Sequence, residues 1–133
     1  MNRTIAHGIE REPGVNDEEI EKVRKLEGGP FVMMNLIKIK DMDAWQKYVG
    51  TFLERFEAAD IIYAGSRARD DPIPIGDKDF HDYDLIILAR YPTAQDFLDI
   101  SESDEYTQEV YPMRRAAVEK AQLVLTRPIP PPE

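Results

Sequence analysis

The stretch FVMMNLIKI, residues 31–39, restricts the possible fold more than any other part of the sequence. Alternate residues of a strand point to opposite faces, and both alternating sets are apolar here through Ile37, with Asn35 as the exception. The stretch YDLIILARY, residues 83–91, has a similar pattern. An antiparallel strand with one wet face would alternate apolar and polar residues. Both faces of these strands are therefore predicted to be buried.

The order of the predicted elements is β-α-β-β-α-β, preceded by an extra N-terminal helix. Helical spacing, capping residues and Gly/Pro breaks delimit the segments. Helices are predicted over residues 16–27, 43–59, 92–100, 103–109 and 112–120, and strands over 31–39, 60–69, 83–91 and 122–127. This order predicts an α+β, ferredoxin-like fold, in which an antiparallel four-stranded sheet carries helices on one face.

Local signals add detail to this outline. Asp43 and Gln46 are predicted to cap the second helix as a capping box, and Pro112 is predicted to kink the chain at Tyr111. The length of 133 residues fits one domain over residues 16–127. Residues 1–15 are predicted to be irregular, residues 70–82 to form a loop, and the Pro-rich residues 128–133 to form an extended tail.

Composition excludes several classes of partner. The net charge of −9 argues against binding to nucleic acid or to an anionic membrane surface. The sequence has no apolar run near the ~20 residues that a membrane span needs. It has no cysteine, which excludes a disulfide framework and a thiolate nucleophile. The N-terminus lacks the apolar region of a signal peptide, so we expect a cytoplasmic location.

The apolar pattern also predicts self-association. The two main helices can cover only one face of the sheet, and the other face needs a partner. A second copy would supply it, giving a homodimer whose sheets close on each other. Alternatively, the N-terminal segment could fold across the open face.

Asn35 has two possible roles within such a sheet. A buried amide without hydrogen bonds costs about 1–3 kcal/mol. Asn35 therefore either satisfies the backbone of a bulge or a neighbouring strand, or it points into a cavity where it can meet a ligand.

Several motifs resemble an uncharacterised bacterial family of dimeric α/β-barrel proteins, the domain-of-unknown-function family 1330. FVMMNLIKIK resembles its V-M-L-N-L-L-K-F strand. The other similar segments follow in the same order: IIYAG at 61–65, Gly76, YDLIILARYPTAQDFLDI at 83–100, DEY at 104–106 and RRAAVEKAQLVLTRP at 114–128. Tyr83 replaces the usual Trp, and Lys120 replaces an acidic residue. The resemblance, over residues 17–128, implies a ferredoxin-like fold and a homodimer but no particular reaction.

The resemblance also draws attention to the polar positions of the matched motifs. These are Asn35, Tyr63, Asp84, Arg90, Tyr106 and Arg114, and all except Arg90 are predicted to bind a ligand. Asp84 and Arg114 could together hold a carboxylate or an enolate at the mouth of a cavity. The alternative is a structural salt bridge between the last helix and the third strand.

His81 is the candidate catalytic residue, because its pKa near physiological pH suits a general acid or base. The alternative is an ordinary exposed loop histidine. The acidic residues around it lack the pattern of a Ca²⁺ loop, so no metal site is predicted. No dinucleotide-binding or phosphate-binding motif is present, and no cofactor is expected.

Three functions remain open from the sequence. The first is a dimeric α/β-barrel protein that binds a small molecule. The second is a cofactor-independent monooxygenase or isomerase that acts on a small aromatic or enolisable substrate. The third is a non-catalytic assembly module whose interior is filled by side chains.

Overall fold

The computed structural model describes residues 5–6, 9–10, 17–26, 28–67 and 83–129. The strands are β1 (Ile5–Ala6), β2 (Ile9–Glu10), β3 (Phe31–Ile39), β4 (Asp60–Ser66), β5 (Leu85–Tyr91) and β6 (Val118–Thr126). The α-helices are α1 (Asp17–Arg24), α2 (Met42–Arg55), α3 (Ala94–Ser101) and α4 (Tyr111–Ala117), and a π-helical segment over Tyr106–Val110 leads into α4. No helix in the described part of the chain is long and apolar enough to cross a membrane.

The main sheet has four antiparallel strands in the order β4-β5-β3-β6. The strand predicted over residues 31–39 is β3, one of the two central strands, and it has the predicted bounds. The β3-α2-β4-β5-α3-β6 core, with α4 before β6, is the ferredoxin-like α+β fold that the sequence predicts. Pairing is irregular between Ile61 and Tyr63 in β4 and between Lys38 and Ile39 in β3.

The helices cover the odd-numbered face of β3 and β5. Phe31 is fully buried there, with its ring stacked on Tyr91 at 5.5 Å and edge-on to Phe97 of α3 at 6.4 Å. Leu98 of α3 and Val110 of the π-helical segment belong to the same hydrophobic core. Large apolar side chains from the strands and helices therefore fill the space between the sheet and the helices around Phe31.

The opposite face, which we call the open face, carries a row of apolar side chains across all four strands, and Val32 and Leu36 on the same face of β3 are buried. Met34 of β3 is paired with Leu88 of β5 and with Val124 of β6, and Leu88 is paired with Tyr63 of β4. Tyr63 and its neighbour Ile62 are exposed. A continuous apolar row on a sheet face is the arrangement that self-association would bury.

Helix α2 begins and ends earlier than predicted. The carboxylate of Asp41 accepts a hydrogen bond from the backbone N–H of Ala44 at 3.0 Å, so Asp41 is the N-cap and the predicted Asp43–Gln46 box is wrong. The helix stops at Arg55 because Phe56 adopts an extended conformation and is buried in the core. Burial of this ring thus ends a helix that the apolar pattern predicted to continue to Ala59.

The last helical region departs most from the prediction. Ser103 caps it as predicted, because its hydroxyl accepts the N–H of Tyr106 at 3.1 Å. Tyr111 keeps helical dihedral angles before Pro112, and its N–H bonds the Tyr106 carbonyl five residues back, so a π-helical segment stands where a kink was predicted. Helix α4 ends at Ala117 because the following residue is extended and pairs with β3, so β6 begins earlier than predicted.

The termini differ from the prediction in one respect. Residues Ile5–Ala6 and Ile9–Glu10 pair as a small antiparallel sheet, so the N-terminal segment is not wholly irregular. Helix α1 forms where it was predicted. The predicted loop over residues 70–82 and the end of the tail, residues 130–133, lie outside the described residues.

Candidate functional site

A cavity of about 690 Å³ lies between the helix-covered face of the sheet and the helices, chiefly α2 and α4. Its walls are mostly aliphatic and aromatic side chains, with a few polar groups among them. The apolar walls include Ile20, Met33, Trp45, Val49, Phe52, Leu85, Ile87, Phe97 and Leu123. The polar groups of the lining are those of Asn35, Gln46, Tyr48, Ser66, Tyr91, Tyr106, Tyr111 and Arg114.

Arg114 is the charged side chain among the described residues that line this cavity. Arg114 is only 6% exposed, and its Nη1 donates a hydrogen bond to the Tyr48 hydroxyl at 3.4 Å. The guanidinium carbon lies 5.5 Å from the ring centre of Tyr48 and 5.9 Å from that of Trp45. Both distances are within the range of cation–π attraction. Two aromatic residues of α2 therefore hold the guanidinium of α4 at the cavity wall.

Two tyrosine hydroxyls continue the hydrogen bonding that begins at the Arg114 guanidinium. Tyr48 and Tyr106 place their hydroxyl oxygens 3.2 Å apart, and both residues line the cavity. The Tyr106 ring also packs edge-on against Phe52 and Phe56, which fixes its direction. Arg114, Tyr48 and Tyr106 thus form one hydrogen-bonded chain from α4 through α2 to the π-helical segment.

Asn35 bonds the backbone of its sheet and also lies at the cavity. Its amide nitrogen donates to the carbonyl oxygen of Met33 at 3.2 Å and to that of Ile87 on β5 at 3.4 Å. The amide therefore satisfies the neighbouring strand, and Asn35 also lines the cavity. Because both amide hydrogens are used, its carbonyl oxygen is the atom left to accept a hydrogen bond from a ligand.

Tyr91 is a neutral phenol of the cavity wall. Burial raises the pKa of its hydroxyl, the nearby Tyr48 raises it further, and the positive charge of Arg114 acts in the opposite direction. Desolvation dominates because the ionised phenolate would be taken out of water. Tyr91 can therefore offer a hydrogen bond to a ligand at neutral pH, but it does not supply a second charge.

Two of the predicted ligand-binding residues lie away from the cavity. Tyr63 is 54% exposed on the open face. Asp84 accepts the backbone N–H of Ile39 at 2.7 Å and forms an ion pair with Arg67 at 2.9 Å. Asp84 is therefore a structural link between β3 and the ends of β4 and β5.

The described contacts do not include one between Asp84 and Arg114, and the two side chains have different neighbours. Asp84 bonds Ile39 and Arg67, whereas Arg114 contacts Tyr48 and Trp45. Arg90, the remaining polar position of the matched motifs, forms a surface ion pair with Asp60 at 2.7 Å.

The candidate acid–base residue His81 lies outside the described residues. Within the described ranges, no group of three His, Cys, Asp or Glu side chains could hold a metal ion. Tyr48 is not among the site residues predicted from the sequence, because it lies in an apolar stripe of α2, which is typical of core packing. The hydroxyl on an otherwise apolar stripe is the signal that could have identified it.

Comparison with solved structures gives matches for the fold. RPA0582, a protein of unknown function from Rhodopseudomonas palustris, is 24% identical with a TM-score of 0.72, over 90% of this chain and 98% of that one. Its methylated form gives 24% identity and a TM-score of 0.70, over 88% of this chain and 94% of that one. A dabb family protein with a ferredoxin-like fold, mll5499 from Mesorhizobium loti, is 9% identical with a TM-score of 0.52, over 77% of this chain and 100% of that one.

These likenesses support the fold and leave the function to be argued from the site. No protein-family model matches the sequence, and neither does any curated protein. Fold alone does not determine function, because one fold carries many kinds of site. The cavity and its polar groups are therefore the features of the molecule that point to a function.

Proposed function

We propose that this protein binds a small organic molecule in the cavity between its sheet and helices. The observation that carries the proposal is the cavity of about 690 Å³ with predominantly apolar walls and a buried arginine. Ligand sites commonly have volumes of about 300–1,000 Å³, apolar walls and a few polar groups that fix orientation. An assembly module would instead be expected to fill this space with side chains.

We further propose that the protein acts as a homodimer of the dimeric α/β-barrel type and is related to the domain-of-unknown-function family 1330. The apolar row on the open face supports self-association, because a second copy would bury it. The motifs quoted above support the family relationship. A bacterial origin and a cytoplasmic location belong to the same proposal.

Isothermal titration calorimetry with naphthamide tests the proposed binding site. Naphthamide is neutral and aromatic, so it probes the apolar cavity without requiring a charge. We expect Leu123→Trp to abolish its binding, because Leu123 lines the cavity and the larger ring would fill it. Glu119→Trp is the matched control, because Glu119 is exposed on the same strand. Equal binding by both variants would contradict the proposed location.

A second candidate function is proton transfer on an enolisable substrate. The observation that favours it is the hydrogen-bonded chain of Arg114, Tyr48 and Tyr106 at the cavity wall. Such a chain could stabilise the oxygen of an enolate as charge develops on it.

The keto–enol conversion of phenylpyruvate, followed by ultraviolet absorption, tests this candidate. We expect Tyr106→Phe to lower the catalysed rate by about 10-fold or more. His81→Ala tests the acid–base residue predicted from the sequence. Conversion at the uncatalysed rate in the unmodified protein would exclude the second candidate.

A further inference from the structure

We infer that the ligand of the cavity is a flat aromatic molecule with an uncharged hydrogen-bond donor, such as a phenol hydroxyl or an amide N–H group. This inference rests on the proposed small-molecule binding and specifies the chemistry of the ligand. It follows from the polar atoms that Asn35 and Tyr91 present to the cavity and from the rings that form its walls.

The amide of Asn35 has a defined orientation. Its nitrogen donates to the carbonyl oxygens of Met33 and Ile87, and because both partners can only accept hydrogen bonds, the other corner of the amide is the oxygen. This oxygen, Oδ1, accepts no hydrogen bond from the described residues and is not fully enclosed by packing. Since Asn35 lines the cavity, its oxygen can be satisfied by a ligand that carries an N–H or O–H donor.

Tyr91 presents a second polar group to the same cavity. The residue is only 5% exposed, yet its hydroxyl makes no hydrogen bond with the described residues. Buried hydroxyls normally have a partner. Burial raises the pKa of this hydroxyl, so Tyr91 remains a neutral phenol that can donate to a ligand oxygen or accept from a ligand donor. Asn35 and Tyr91 therefore both offer uncharged groups to a ligand.

The composition of the lining disfavours a cationic donor. Among the described residues that line the cavity, none is Asp or Glu. An ammonium group that enters without a carboxylate would lose its hydration and meet no opposite charge. A phenol hydroxyl or an amide N–H group loses less on leaving water, and the Asn35 oxygen can replace its bond to water.

The cavity walls favour an aromatic body. The ring of Trp45 lies 5.5 Å from that of Tyr48, and the ring of Phe52 lies 5.9 Å from it, all on α2. These three rings line the cavity together with aliphatic side chains of the sheet, among them Ile87. Aromatic rings attract one another at centre distances of about 4.5–7 Å, so a flat ring is the body that such walls can contact closely.

Calorimetry with three naphthalene derivatives, substituted at the same ring position, tests the need for a donor. Naphthol carries a hydroxyl, methylnaphthalene has the same shape without a polar atom, and methoxynaphthalene has an oxygen that cannot donate. We expect naphthol to bind about 2- to 10-fold more tightly than the other two, which is the usual net gain from one hydrogen bond. A cavity without an acceptor would give the reverse order, because it would leave the hydroxyl unpaired. The protein is titrated into each compound, because the compounds without a donor are poorly soluble.

Naphthylmethylammonium tests the charge of the donor. It carries N–H groups on the same ring system, but they belong to a cation. We expect it to bind more weakly than naphthol, because the described lining provides no carboxylate. Tighter binding of the ammonium compound would overturn the assignment of an uncharged donor.

Variants of Asn35 link the preference for a donor to this residue. Asn35→Leu keeps the size of the side chain, removes the acceptor and is expected to reverse the order, so that methylnaphthalene binds more tightly than naphthol. A purely structural role of Asn35 would instead change both affinities alike. Gln122→Leu is the matched control, because it removes an exposed amide of β6 that does not line the cavity, and it should leave the order unchanged. If Asn35→Leu fails to fold by circular dichroism, Asn35→Ala replaces it, with the same reversal expected.

The outcomes distinguish this inference from the proposal on which it rests. If methylnaphthalene or methoxynaphthalene binds as tightly as naphthol, the need for a donor is overturned, whereas the proposed cavity function stands. A preference for naphthol that survives both replacements of Asn35 would overturn the role of that residue. Absence of binding by all of these compounds and by naphthamide would overturn both this inference and the proposed cavity function.

Discussion

The two faces of the sheet are built from the same strands, but they differ in what covers them. The helix-covered face has a densely packed end around Phe31 and a cavity beside Arg114. The open face carries Met34, Leu88 and Val124 in one row across neighbouring strands. Because strand residues alternate between faces, one stretch such as FVMMNLIKI supplies both surfaces. Its apolar character on both faces, with Asn35 as the exception through Ile37, therefore reflects two separate requirements.

The difference indicates a division of roles between the faces. Polar groups of the cavity lie on the helix-covered side, where Arg114, Tyr48 and Tyr106 are joined by hydrogen bonds. The row on the open face contains no charged side chain, and self-association is the arrangement that would bury it. We therefore expect ligand binding and self-association to respond to different substitutions.

The largest effect on folding is expected within the packed end of the helix-covered face. Phe31→Ala should lower the free energy of unfolding by about 3–5 kcal/mol, because it leaves a cavity between Tyr91 and Phe97. Urea unfolding measures this change. Leu123→Ala is the comparison, and it should cost less because Leu123 already borders empty space. Similar losses for both variants would contradict the distinction between a packed end and a cavity.

A charge introduced on the open face tests whether this face is the interface for self-association. Met34→Lys places an ammonium in the middle of the apolar row, and burying that charge without a partner should weaken self-association by about 3 kcal/mol or more. Sedimentation equilibrium over a range of concentrations measures this effect. Gln108→Lys adds the same charge at an exposed position and should leave association unchanged. A Met34→Lys variant that dimerises as tightly as the original protein would exclude the open face as the interface.

A smaller effect is expected from the hydroxyl of Tyr48. Tyr48→Phe removes the hydrogen-bond partner that Arg114 and Tyr106 share, and should lower the free energy of unfolding by about 1–2 kcal/mol. Tyr63→Phe is the matched control on the open face, because that residue is exposed and its change should stay within about 0.5 kcal/mol. Equal effects in chemical denaturation would show that the hydroxyl chain has no special part in the folded state.

The smallest effect is expected at alkaline pH and depends on Tyr91. Burial raises the pKa of its hydroxyl in the folded state, so above a pH of about 10 the unfolded chain loses this proton before the folded chain does. Stability is therefore lost as the pH rises, by up to about 1.4 kcal/mol per pH unit from this group. Tyr91→Phe should be less sensitive than the original protein between pH 10 and 11 in denaturant titrations. An identical pH dependence in the two proteins would contradict the burial of this hydroxyl.

The sequence predicted the sheet well because its signals are local and strong. Residues 31–39 form β3 with the predicted bounds, and the four strands of the main sheet follow in the predicted order along the chain. Helix ends were less predictable, because tertiary contacts decide them. Burial of Phe56 ends α2 early, and pairing with β3 makes Val118 extended where a helix was predicted.

The candidate site was predictable only in part. Asn35, Tyr106 and Arg114 line the cavity as predicted for ligand-binding residues, and their function stays a prediction. Asp84 was expected to pair with Arg114, but sequence spacing cannot show that Arg67 at the end of β4 is the nearer cation. Tyr63 was assigned to the cavity, but the irregular pairing between Ile61 and Tyr63 places its side chain on the open face.

A crystal structure of the protein grown with naphthamide tests the division between the two faces most directly. We predict that the naphthalene ring occupies the cavity beside Trp45. We also predict that a second copy covers Met34 and Leu88. Naphthamide bound on the open face, or a cavity filled by rearranged side chains, would contradict the division.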